Sequence, residues 1–206
     1  MRNVGLLGCV IALIVVVIIG GIFYVSVRNS LVNVDESVNT AWAQVESQYQ
    51  RRADLIPNLV NTVKGAANFE RSTLEAVINA RAKATQVAAP SGPPGAGAAA
   101  PNDQQAMDQF AAAQAGLGSA LSRLLVVVER YPELKANQNF LELQSQLEGT
   151  ENRIGVARKD YNDAAQKYNT AIRRFPASLV AGMSGFKSKA YFKGAPGTEK
   201  APNVQF

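Results

Sequence analysis

The alternation of apolar and polar positions begins only near residue 30, because residues 4–27 are apolar without interruption. That run is bounded by Arg2 and Arg28 and carries no charged side chain. As a helix its 24 residues reach about 36 Å, enough to cross a hydrocarbon layer of about 30 Å with some tilt. Its apolar core is about twice the length usual for a signal peptide, and no small-x-small cleavage site follows, so it reads as a retained transmembrane anchor. Leu6-Leu7-Gly8-Cys9 has the form of a lipoprotein box, but the apolar core follows the cysteine instead of preceding it. The pattern gives residues 1–3 as a short tail, 4–27 as the span, 28–184 as a helical bundle and 185–206 as an extended basic and aromatic tail.

Beyond the span, apolar residues step in threes and fours through Leu31, Val34, Val38, Trp42, Val45 and Tyr49, then Ile56, Leu59, Val63, Leu74 and Val77. This is the stripe of an amphipathic helix over about residues 30–87, with no loop signal separating it from the span. Pro57 removes the hydrogen bond to the carbonyl of Ala53 and predicts a kink there, with two helices broken at Ile56–Pro57 as the alternative. Gly65 is a weaker interruption. Residues 88–101, rich in Ala, Gly and Pro, form a linker with no side chain worth burying.

A second helix is expected from about residue 103 to 131, capped by Asn102 or Asp103 and closed at Tyr131-Pro132. Its run Leu124–Val128 is apolar on every side, which predicts burial among several neighbours. A third, over about 137–175, carries the cleanest stripe: Phe140, Leu143, Leu147, Ile154, Tyr161, Tyr168 and Phe175. Asn137 caps it and Phe175-Pro176 ends it. One short helical turn is expected within Ser178–Met183. The architecture is all-α: one N-terminal transmembrane helix, an antiparallel bundle of three to four long helices, and an extended tail.

Composition removes most chemistry. The chain has no histidine, and its one cysteine, Cys9, lies in the span. The commonest general base and metal ligand are therefore missing, and the part beyond the span has no thiolate or disulfide. No phosphate-binding loop or serine elbow is present. The pattern points to no enzyme, cofactor or metal. A net charge of +5 permits contact with anionic lipid but does not by itself predict nucleic-acid binding.

Three segments resemble the LemA family: Leu31–Ala82, Leu121–Pro176 and the tail Leu179–Phe192. The longest specific matches are Gln50-Arg51-Arg52-Ala53-Asp54-Leu55-Ile56-Pro57-Asn58-Leu59 and Tyr131-Pro132-Glu133-Leu134-Lys135-Ala136. The resemblance implies a bacterial protein anchored by one N-terminal span, folded as long antiparallel helices, with no established enzymatic activity. The sequence departs from the pattern at the linker, where Ser91-Gly92-Pro93-Pro94-Gly95 looks like a local expansion.

Four features compete for function. Leu31, Val34, Val38 and Trp42, nearest the membrane, form a candidate self-association stripe, because three helices of unequal length leave part of a long first helix uncovered. Arg173, Arg174, Phe186, Lys187, Tyr191, Phe192 and Lys193 interleave cations and aromatics, suited either to a lipid surface or to a tail strapped along the bundle. Arg51, Arg52 and Asp54 beside Pro57 form a charged cluster, functional or simply satisfying groups freed by the proline. The charges of the third helix, Glu148, Glu151, Arg153, Arg158, Lys159, Asp160 and Asp163, read as a solvated face. The expected function is a non-catalytic scaffold that self-associates at the bacterial inner membrane and organises or shapes it. Its partners are the lipid bilayer and further copies of the chain, with no nucleic acid. The alternative is an adaptor that binds another membrane protein or a peptide. Basic residues nearly balance across the span, with a lean towards an extracytoplasmic bundle.

Overall fold

The computed structural model describes residues 2–65, 69–87 and 99–194, with side chains from residue 11 onward. Helices α1 (Arg2–Lys64), α2 (Arg71–Gln86), α3 (Gln104–Val128), α4 (Pro132–Lys135), α5 (Gln138–Arg173) and α6 (Ala177–Ser184) follow in order. Residues 186–194 then run as irregular chain. No strand occurs among the described residues.

Helix α1 has 63 residues, about 94 Å of continuous helix. It carries the apolar run straight into the bundle, so no loop intervenes at Arg28. Within the described part of that run, Ile11 to Val25, the large apolar side chains are exposed. By length and composition the helix is able to cross a membrane.

Pro57 lies inside α1 without ending it. The carbonyl it frees, that of Ala53, instead accepts from Arg81 Nε at 2.9 Å, so the lost bond is replaced from α2. The helix ends at Lys64, and Gly65 begins the turn that follows. The expected single helix over 30–87 is therefore corrected: α2 doubles back along the upper part of α1. Folding back places Leu74, Val77 and Ala84 in one apolar cluster with Ile56, Leu59, Val63, Leu117, Leu121 and Leu124. One straight rod could not bury both stripes. Phe69 and Tyr131, with ring centroids 4.9 Å apart, link the end of this turn to the α3–α4 connection.

Asp103 caps α3, accepting from Gln105 N at 2.9 Å, and Asn137 caps α5 through Asn139 N and Phe140 N. Helix α5 packs antiparallel along α1, and α2 along α3. The all-apolar run of α3 is covered on one side only: Leu124, Val127 and Val128 are buried, whereas Val126 is 70% exposed. Two apolar clusters result. The one nearer the span centres on Trp42, Phe110, Tyr161 and Phe192, and the distal one on Leu59, Val77, Leu117 and Leu124.

Candidate functional site

Between α5, α1 and α3, residues Phe186–Lys193 form a strap. Backbone outside a helix or sheet must find partners for its N–H and C=O groups elsewhere, and here side-chain amides supply them. Asn169 Nδ2 donates to Lys189 O at 2.9 Å while its Oδ1 accepts from Lys189 N at 2.8 Å. Asn162 pairs with Phe192 N and O, both at 2.9 Å. Gln104 pairs with Tyr191 N and O at 3.1 and 2.9 Å. Tyr168 donates its hydroxyl to Lys187 O at 3.0 Å, Tyr161 donates to Ala190 O at 2.9 Å, and Ala190 N donates to Pro101 O at 2.9 Å. Three amides thus imitate a strand partner.

The strap's side chains complete the core. Phe192 stacks 5.9 Å from Trp42 and meets Tyr161 edge-on at 5.6 Å, with the Arg158 guanidinium 4.7 Å over its other side. Such aromatic pairs contribute about 0.5–1.5 kcal/mol beyond area burial. Lys189, buried, reaches Asp35 with Nζ–Oδ1 at 2.9 Å and lies 5.5 Å over the Tyr168 ring. Burial holds the Tyr168 hydroxyl up at about 12, aided by the charge of Asp35. Burial also raises Tyr161, with a smaller contribution from Tyr191. On the surface, Lys193 bonds Asp108 at 2.7 Å, which with the Gln104 amide draws the Asp108 carboxyl below its usual value.

These placements divide the sequence-derived candidates. The self-association stripe is corrected: Leu31, Val38 and Trp42 are at most 2% exposed and Val34 is half-buried against the same cluster. The overhang expected of a long first helix is filled by the 36-residue α5 and by the strap. Of the tail, Phe192 is buried and Phe186 and Tyr191 are half-buried, whereas Arg173, Arg174 and Lys187 are exposed at the end nearer the span. The cluster beside Pro57 is not brought together. Arg52 points inward, Arg51 outward, and Asp54 accepts from Gln50 at 2.8 Å on the surface.

Arg52 instead builds a polar node at the boundary between the two apolar clusters. Its guanidinium donates to Glu151 Oε2 at 2.7 Å and to the side-chain and backbone oxygens of Gln114 at 2.6 and 3.2 Å, and lies 5.1 Å over Tyr49. Gln114 Nε2 passes the chain on to Ala84 O at 3.3 Å, so one buried arginine ties α1, α2, α3 and α5. Burial raises the Tyr49 hydroxyl, partly offset by the charges of Arg158 and Arg52. Next to the node a cleft of about 470 Å³ opens between α1, α2 and α3, lined by Glu46, Tyr49, Gln50, Thr85, Phe110 and Gln114. Gln114 lies four residues from Phe110 and three from Leu117, so spacing alone places it on the apolar stripe of α3; the segments that it and the strap-pairing amides bind lie far away in sequence. Among the described residues no group of three or more His, Cys, Asp or Glu is placed to hold a metal.

The arrangement pairs buried side-chain amides and aromatics with main chain. A family model described as the LemA family matches residues 41–206. The chain is 30% identical over 183 residues to "Magnetosome protein MamQ 2" of Paramagnetospirillum magneticum, and 28% identical to "Magnetosome protein MamQ" of Magnetospirillum gryphiswaldense. Each alignment covers 82% of this chain and 65% of the relative, so the chain spans just under two-thirds of those proteins. "Protein LemA" of Metamycoplasma hominis is 23% identical over 176 residues, covering 84% of this chain and 73% of that one. With an exposed apolar N-terminal helix and a family match over most of its length, the chain belongs to the LemA family of membrane-associated helical proteins.

Proposed function

We propose that this protein is a non-catalytic scaffold, anchored by a single span, that self-associates at the bacterial inner membrane and organises it. The observation that carries this reading is the continuity of α1 through residue 28. A helix fused to its anchor holds the bundle at a fixed angle, where a flexible tether would only localise it. Copies then present one another the same faces in the same orientation, which favours closed or sheet-like assemblies. With the Leu31–Trp42 stripe buried, the contact between copies falls to the span, whose large apolar side chains over Ile11–Ile22 are exposed among the described residues. A Gly/Ser insert after Asn29 tests the reading. Loss of membrane crosslinks between copies, with the bundle still folded, is expected; unchanged assembly reduces the span to a localising device.

A second reading, an adaptor that holds a peptide or another membrane protein, is favoured by the cleft beside Tyr49 and Gln50. Crosslinking from Gln50→Cys in a Cys9→Ser chain that recovers a stoichiometric heterologous partner and no self-crosslinks supports the adaptor over the scaffold. The bundle lies, on this proposal, outside the cytoplasm.

A further inference from the structure

Helix α6 lies at an unexpected level. Its last residue, Ser184, shares a hydrogen bond with Tyr24 at 3.0 Å between hydroxyl oxygens. Its first, Ala177, borders a groove with Val27, Ser30, Leu31 and Arg174. Tyr24 and Val27 belong to the apolar run, and they are the half-buried residues among its otherwise exposed last turns. Tyr24 sits about 6 Å below Arg28 along the axis of α1. A bilayer that covers the run up to Val27 therefore has α6 beside it, within the polar–apolar boundary.

The outward face of α6 fits that boundary. Val180 and Ala181 pack inward, while Leu179 and Met183, four residues apart on α6, are 62% and 79% exposed, and Phe175, in the turn that precedes the helix, is 81% exposed. Large apolar side chains grouped at one end of a bundle mark a contact surface. Around them stand Arg28, Arg173, Arg174 and Lys187, all exposed, the charge that anionic headgroups complement. The chain descends through α5, turns in α6 and climbs again as the strap, so α6 is the lowest point of the bundle.

We infer that α6 with Phe175 is an interfacial foot: Phe175, Leu179 and Met183 insert into the acyl boundary of an anionic bilayer, and the surrounding cations meet its headgroups. The bundle then touches the membrane at two places, the span and the foot, which fixes its rotation about α1 as well as its tilt. The inference rests on the anchored reading above and adds a second, independent contact to it.

Spin labels at Leu179→Cys, Met183→Cys, Val17→Cys and Val126→Cys, each in a full-length Cys9→Ser chain, test it. The chain is placed in nanodiscs of phosphatidylethanolamine and phosphatidylglycerol, and the accessibility of each label to oxygen and to a water-soluble nickel chelate is measured. Oxygen access is expected to exceed nickel access at Leu179, Met183 and Val17, with the reverse order at Val126 on the distal end of α3. Nickel-dominated labels at 179 and 183 beside an oxygen-dominated label at 17 overturn the foot and leave the anchor standing. A nickel-dominated label at 17 overturns both. All four positions are exposed, so labelling disturbs no core packing.

Discussion

Replacing Asn169 by Ala isolates the strap from the rest of the bundle. The wild-type amide meets both backbone groups of Lys189, at 2.8 and 2.9 Å, in a buried position. Truncation leaves one N–H and one C=O without partners. Each orphaned buried group costs about 1–3 kcal/mol, and water entering the space left by the amide recovers part of that, so a loss of about 2–4 kcal/mol is expected. The loss concentrates on residues 187–193, because α5 keeps its helical backbone and its contacts with α1. Hydrogen exchange of the amides of Lys189, Tyr191 and Phe192 reads it directly, and trypsin cleavage at Lys187 and Lys189 reads release of the strap. Asn152→Ala, at an exposed position of the same helix, is the control and is expected to change stability by less than about 0.5 kcal/mol. If Asn169→Ala behaves like Asn152→Ala, with tail amides as protected as before, the strap is a surface feature and the reasoning about paired amides is wrong.

Other outcomes follow from the same geometry. Arg81→Ala removes the donor that replaces the bond lost at Pro57 and is expected to cost about 1–3 kcal/mol in denaturant unfolding; in a Pro57→Ala chain, where residue 57 regains its own N–H, the same change costs less, and equal losses in the two backgrounds contradict the compensation. Trp42→Ala is expected to cost about 3–5 kcal/mol while leaving crosslinks between copies in proportion to the folded fraction; loss of assembly from a fully folded variant would restore the stripe as an interface. Tyr168 has its hydroxyl raised to about 12 from an ordinary 10. Above pH about 10 the unfolded chain gives up that proton and the folded chain keeps it, so stability falls between roughly pH 10 and 12. Tyr168→Phe is expected to flatten that fall in a pH-dependent melting series.

The helices were legible because their stripes are long and regular: the α5 stripe from Phe140 to Tyr168 needs only a 3.6-residue period to be seen. Interruptions were less so. Proline weighs more than glycine in local propensity, yet α1 passes through Pro57 and ends at Gly65, because Arg81, 24 positions away in sequence, supplies the missing bond. The site was the least legible part. Asn162, Asn169 and Gln104 read as solvated helix positions until the tail lies against them, and Arg52 looks like its exposed neighbour Arg51. Trp42 sits on a stripe that sequence leaves unpartnered, and its partner, Phe192, arrives from 150 residues further along. Local patterns register which faces are apolar; which distant segment covers them is decided by the turn-back at α6.

On the scaffold proposal, the anchor and the bundle share one rigid helix, α1. Pulsed electron–electron distance measurement between spin labels at Ile22→Cys and Gln44→Cys in a Cys9→Ser chain, both exposed and on either side of Arg28, addresses it in nanodiscs. A continuous helix places these positions about 33 Å apart along its axis and gives a single narrow distribution near that value. A broad distribution extending to much shorter distances would mean a hinge at the membrane surface, and the account of the anchor as a rigid stalk would fail.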